Sequence, residues 1–254
     1  MDILVYMADA KRPLTLTEIS TALGIPKSST LDIIHALLEK EIIEIDDPYS
    51  KTYKLGIILF TIGSSSVSRS NLQALAYPSI TELSRQTKKT VFLGVPKHEK
   101  IVYVSKIDGS SPLQSSCSIG TTNPMYLTGI GKAILASMTD AEVFNLYGGG
   151  PYPQRTPQTI TNYADLISNL NTVRERGYSV DDREGVEYVY CFGAPIYDYT
   201  NKAIASISIV SLVDEIKEDE KKLYPQLIQK TAMEISRKLG FIGDKFYNLE
   251  ESLA

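Results

Sequence analysis

Residues 15–40, "TLTEISTALGIPKSSTLDIIHALLEK", constrain the fold more than any other stretch of this 254-residue chain. Thr15 and Glu18 form a Thr-x-x-Glu capping box, which marks a helix start because each residue satisfies a backbone N–H of the other. The helix it opens, Leu16–Leu23, is short. It stops at Gly24, a residue that enters the left-handed conformation of a tight turn without steric cost. Pro26 and Lys27 then open a second helix that runs to about Lys40; proline suits a helix N-terminus, where its missing N–H is not needed. Helical spacing puts Ile33, Ile34, Leu37 and Leu38 on an inward stripe, and Ser28, Leu31, Asp32 and His35 on an outward one.

The flanks complete the pattern. A helix is expected over Asp2–Ala10, ended by Pro13, and two β-like runs, "EIIEI" (41–45) and "TYKL" (52–55), enclose the turn "DDPYSK". Helix, helix–turn–helix and hairpin in this order make a winged helix-turn-helix ending near residue 62. "SSSVSRSN" (64–71) is a polar break. A linker helix follows over about 72–86, with Pro78 as a kink. From Thr90 the texture changes. "TVFLGVP", "KIVYVSKI", "PLQSSCSI", "GYSVDD", "YVYCFGAPIYD" and "AIASISIVS" read as strands, and 129–138, 163–176 and 215–238 as helices, with Pro225 a possible break in the last. The expected class is α+β with a largely antiparallel sheet. The expected divisions are 1–62, a linker over 63–89, and 90–254.

Composition removes several classes. No run approaches the roughly 18 apolar residues of a membrane span. "MDILVYMADAKRP" has no basic n-region of a secretory signal. Two cysteines, Cys117 and Cys191, make no disulfide framework, and a reducing, cytoplasmic setting is expected. The net charge of −4 advertises no nucleic-acid partner, so such a role must rest on local arrangement.

That local arrangement exists. In a helix-turn-helix the N-terminal part of the second helix enters the major groove and reads base edges. Here it presents Lys27, Ser28, Ser29, Thr30, Leu31 and Asp32, then His35, with Lys51 and Lys54 in the wing. Against it stands the charge of residues 1–62. Six bases (Lys11, Arg12, Lys27, Lys40, Lys51, Lys54) face nine acids (Asp2, Asp9, Glu18, Asp32, Glu39, Glu41, Glu44, Asp46, Asp47), a poor balance for neutralising phosphates. Weak affinity per monomer, and hence use of two or more half-sites, is expected. Asp32 has two readings: an acceptor for cytosine N4, or a solvated acid that weakens DNA binding.

The first 62 residues resemble the winged helix-turn-helix of the IclR family of bacterial transcriptional regulators, including its "YKLG" end. "PMYLTGIGKAILASM" is similar to that family's Pro-Met-x-x-Thr-x-x-Gly-Lys-Ala motif, and "RGYSVDDREGVEYVYCFGAPIYDYTNKAIASISI" to its later signature. Order and spacing agree over about residues 3–240. The resemblance implies a GAF-like effector domain at the C-terminus, operator DNA and a small-molecule effector as partners, and a homodimer or dimer of dimers. It places Gly129, Ile130, Asp181, Cys191 and Ser208 in the effector pocket.

A carboxylate effector suits the N–H groups near Gly129 and Gly131, at a helix start. Gly129 and Gly131 have a plainer reading as helix caps, and Cys191 as a small buried hydrophobe. This chain departs from the family pattern at Tyr126, Arg183, Tyr188 and Val210. The apolar Val210, with Tyr126 or Tyr188 nearby, favours an aromatic or more apolar ligand. Nothing points to an enzyme or a cofactor. His35 and His98 lack zinc-helix spacing, and "GIGKA" lacks the phosphate-loop pattern. "LYGGGPYPQRTP" (146–157) reads as a mobile loop at a dimer surface or pocket mouth.

Overall fold

Local capping builds the first elements. The computed structural model describes residues 2–62, 72–110 and 117–247, and the chain divides between Asn71 and Leu72 into two compact units. In the first unit α1 (Asp2–Ala10) leads to β1 (Leu14–Thr15), α2 (Leu16–Leu23), α3 (Lys27–Glu39), β2 (Ile43–Asp47) and β3 (Thr52–Leu55). The Thr15 hydroxyl accepts from the Glu18 N–H at 3.3 Å, and the Glu18 carboxylate accepts from the Thr15 N–H at 2.7 Å. Gly24 turns with φ 66°. The two residues of β1 become a strand only by pairing with Tyr53 and Thr52 of β3, giving an antiparallel sheet in the order β1-β3-β2. The core consists of Ile3, Met7, Leu14, Ile19, Ile34, Ile43 and Tyr53.

Two residues of α3 differ from expectation. Ile33 is 40% exposed, and Thr30 is fully buried. The inward stripe is therefore Thr30, Ile34, Leu37 and Leu38, the i, i+4, i+7, i+8 set, while Ile33 lies about 100° round the helix from Ile34. The first wing strand also starts later than expected. Glu41 has φ 55° and its N–H, with that of Ile42, closes the end of α3 onto Leu38 and Leu37.

The second unit opens with α4 (Leu72–Thr87), so the helix expected as a linker is built into this unit. Leu72, Ala76, Ile80 and Leu83 belong to its core. There follow β4 (Thr90–Lys97), β5 (Lys100–Ile107), β6 (Thr122–Pro124), α5 (Gly129–Leu135), α6 (Asp140–Tyr147), α7 (Tyr163–Arg176), β7 (Ser179–Asp182), β8 (Val189–Tyr197), β9 (Ala203–Leu212) and α8 (Glu218–Lys238). The strand expected at 112–119 lies mostly outside the described residues, and 117–119 are not a strand. Pro78 and Pro225 both sit inside continuous helices. The class is α+β, as expected, with one antiparallel sheet in the order β6-β5-β4-β9-β8-β7.

Alternation along β8 sorts the two sheet faces. Phe192 packs against Tyr224 of α8, whose hydroxyl donates to the Thr87 carbonyl of α4 at 3.1 Å. On the other face Gly193 meets the start of α5: a Cβ there would lie 2.4 Å from the Gly129 carbonyl oxygen. Helices α4 and α8 thus cover one face, and α5 lies on the other.

Candidate effector pocket and DNA-reading face

The sheet register assembles the pocket floor. Asp181 pairs with Cys191, Cys191 with Val210, and Val210 with Thr90. Directly opposed residues share a face, so these four side chains form one row across β7, β8, β9 and β4. The next row is Gly193, Ser208 and Phe92. These rows underlie a cavity of about 460 Å³ also lined by Leu127–Ile130, by Gly185, Val186 and Tyr188, and by Asn123 and Arg155. Gly129, Ile130, Asp181, Cys191 and Ser208 all line it, as do Val210 and Tyr188.

Two expected neighbours, Gly131 and Tyr126, do not line it, nor does Arg183. Gly131 serves packing, since a Cβ there would meet the Met125 Cα at 2.4 Å; its N–H is taken by the Thr128 hydroxyl at 3.0 Å. Helix α5 is only seven residues long, so its start is a weaker anion seat than expected. Tyr126 lies behind the wall and donates to the Pro153 carbonyl at 2.8 Å. Arg183 points to Asp182, with Nε 2.7 Å from Oδ1. The segment 146–157, expected as mobile, is tied down at Pro153, and Arg155 within it reaches the cavity.

Two buried charged residues escape a reading by motif. Lys132 of α5 is fully buried, and its Nζ donates to both carboxylate oxygens of Glu184, at 2.6 Å to Oε2. Glu184 in turn gives its N–H to Asp181 Oδ1 at 2.8 Å. The available signal was a lone lysine inside the apolar run "GIGKAILA". Burial pushes the Asp181 carboxyl up to about 7, against the pull of Lys132 and with the push of Glu184. Burial also raises Glu184 and the Cys191 thiol. Below about pH 7 Asp181 holds its proton and donates as well as accepts, so there the floor offers Asp181, Cys191 and Ser208 as uncharged polar groups among apolar walls. Among the described residues no group of three or more His, Cys, Asp and Glu side chains could hold a metal ion.

In the first unit Lys27, Ser28, Ser29, Leu31, Asp32 and His35 are exposed along α3. Thr30 is withdrawn from this face: its hydroxyl donates to the Pro26 carbonyl at 3.1 Å, inside the unit. Several acids are occupied locally. Glu18 binds Arg12 at 2.8 Å, and Asp47 accepts the Tyr49 N–H at 2.9 Å in the wing turn. Asp46 pairs with Lys54 at 3.3 Å, which offsets that lysine's charge. Lys27 and Lys51 have no carboxylate partner among the described residues.

Comparison with known proteins agrees over both units. A family described as the bacterial transcriptional regulator IclR C-terminal domain matches residues 64–237, and the IclR helix-turn-helix domain matches residues 1–47. The HTH-type transcriptional regulator KdgR of Escherichia coli K12 is 31% identical over 231 residues, covering 91% of this chain and 88% of that protein. The crystal structure of the Thermotoga maritima IclR is 28% identical with a TM-score of 0.78, covering 94% of this chain and 96% of that one. An IclR homologue from Microbacterium hydrocarbonoxydans complexed with 4-hydroxybenzoate shares the fold at 17% identity and a TM-score of 0.78, covering 93% and 97%. A capped helix-turn-helix with a wing, an α+β unit enclosing a cavity, and these matches along nearly the whole length show that the chain belongs to the IclR family of bacterial transcriptional regulators, which bind DNA through the helix-turn-helix.

Proposed function

We propose that this regulator responds to a small organic acid with an apolar or aromatic body, bound in the cavity of the second unit, and that the ligand alters its affinity for operator DNA. The observation that carries this reading is the convergence of Gly129, Ile130, Asp181, Cys191 and Ser208, from α5, β7, β8 and β9, on one cavity. A polar group of the ligand meets the Gly129 and Ile130 N–H groups, Asp181 and Ser208. Its body lies along Phe92, Tyr103 and Val210. The 4-hydroxybenzoate complex of the Microbacterium homologue supports an acid of this shape.

On the DNA side, Lys27 meets phosphate, Ser28, Ser29, Leu31, Asp32 and His35 face base edges, and Lys51 meets the backbone from the wing. Lys54 contributes less, since Asp46 offsets it. Six bases against nine acids favour binding by a homodimer or dimer of dimers on paired half-sites, in the cytoplasm, with no catalytic step. The test is a band shift on the intergenic DNA beside the protein's own gene, with and without 4-hydroxybenzoate and related acids. Specific retardation that an acid strengthens or releases is expected. Binding no tighter than to random DNA would leave a sensor acting through protein partners and overturn this reading.

A further inference from the structure

Among the described residues two cationic side chains reach the cavity, and they differ in commitment. Lys89 is held by Glu215, with Nζ 3.3 Å from Oε2. Arg155 has no carboxylate partner among the described residues; its Nη1 donates to Asn123 Oδ1 at 2.9 Å, and Asn123 also lines the cavity. Although exposed, Arg155 is well positioned. Its backbone N–H donates to the Thr159 hydroxyl at 3.1 Å, and that of Thr156 donates to the same oxygen at 2.9 Å. The Thr156 hydroxyl donates to the Arg183 carbonyl at 2.6 Å, and that of Thr159 to the Glu184 carbonyl at 2.7 Å. The loop that carries Arg155 is therefore fastened to the loop that follows Asp181.

Charge fixes the direction of a bound acid. The floor offers no free cation among the described residues: Lys132 donates to both oxygens of Glu184, and Asp181 lies beside that pair. The Arg155 end offers a planar fork of donors that matches a carboxylate, pre-oriented by Asn123. Phe92, Tyr103 and Val210 give the same cavity an apolar lining. A cavity of about 460 Å³ is far larger than a two- or three-carbon acid needs, and falls in the range of sites that enclose larger organic ligands.

Building on the effector reading above, we infer that Arg155 is the carboxylate anchor of this cavity. The effector is then a monocarboxylic acid with its charged group at Arg155 and Asn123, and an apolar or aromatic body running inward to a hydroxyl or carbonyl at Asp181 and Ser208. The acid group thus sits at Arg155 and not at the start of α5.

Isothermal titration of the full-length protein tests this with benzoate, 4-hydroxybenzoate, phenylacetate and hexanoate, each beside its primary amide. Wild type, Arg155→Gln, Arg155→Lys and Val210→Phe are compared at two salt concentrations, after thermal melts confirm that each folds. At least one acid is expected to bind wild type. Arg155→Gln should weaken it about tenfold, the lower range for a charge-assisted hydrogen bond at a partly exposed site. The same change should leave the amide unaffected and flatten the acid's salt dependence, and Arg155→Lys should restore part of the loss. Val210→Phe, which fills the cavity, should abolish binding of acid and amide alike. Equal acid affinity in wild type and Arg155→Gln, with binding still lost in Val210→Phe, overturns the anchor and leaves the cavity as effector site. Binding untouched by Val210→Phe, or no acid bound by wild type, overturns both.

Discussion

The two units place their working groups in opposite ways. The first has a core of seven buried apolar residues and shows its reading face to solvent. Two of its acids are used at once by the nearest backbone: Glu18 in a cap and Asp47 in a turn. The second is large enough to carry charge inside, with Lys132, Glu184 and Asp181 buried around a cavity. A small core tolerates no buried charge, because each ion costs several kcal/mol to desolvate and few contacts offset it. The contrast explains why base-reading residues can be exchanged cheaply, whereas the effector cavity is bound up with the stability of its unit.

The sharpest way to break the comparison is Lys132→Met. It strands a buried carboxylate, and the expected loss is about 3–5 kcal/mol in the second unit. Calorimetry should show that unit's transition falling while the first unit keeps its own. The companion change Lys132→Met with Glu184→Leu should recover much of the loss; no recovery would mean that the pair is not the source.

Asp181 offers a pH test of the same interior. Its folded value of about 7 lies above the ordinary aspartate value of 3.8. The folded state therefore holds the proton more tightly, so this group's contribution to stability is fully present below about pH 4 and is lost as pH rises through about 7. Asp181→Asn should flatten the stability–pH curve between those limits. An unchanged slope would show that Asp181 is ionised throughout.

In the first unit Ile34→Ala should cost about 2–4 kcal/mol. That is enough to unfold a unit with so small a core, abolishing DNA binding while the second unit's melt stays put. A folded, DNA-binding variant would show that the first unit draws stability from elsewhere. The smallest effect belongs to Asp32→Arg, at an exposed site. Non-specific affinity should rise, and the salt slope steepen by about 0.9 for one added phosphate contact. If Asp32 accepts from cytosine, preference at one operator position should also vanish, a discrimination of about 1–3 kcal/mol. A band-shift series over operator variants separates the two readings.

Much of the fold was legible because it is signalled locally. The bounds of α1, α2, β3 and α7 follow caps, glycines and the strand run "TYKL". Helix α6 was missed although Thr139 and Glu142 form the same capping box as Thr15 and Glu18. Strands β1 and β6 carry no signal of their own, being two and three residues that exist through their partners. The site divides in the same way. Motifs pointed to Asp181, Cys191 and Ser208, but Arg155 and Asn123 lie in turn-rich sequence and meet the others only in space.

By itself the sequence determined the helix-turn-helix, most of the longer strands and helices, and the polar residues available to each unit, because caps, turns and periodicity act within a few residues. Tertiary structure decided that Thr30 faces inward and Ile33 outward, and that α4 belongs to the second unit's core. It also decided that one cross-strand row unites Asp181, Cys191, Val210 and Thr90 in the cavity that Arg155 also lines. Those outcomes depend on strand register and burial, which join residues far apart in the chain and leave no mark on the segments they join.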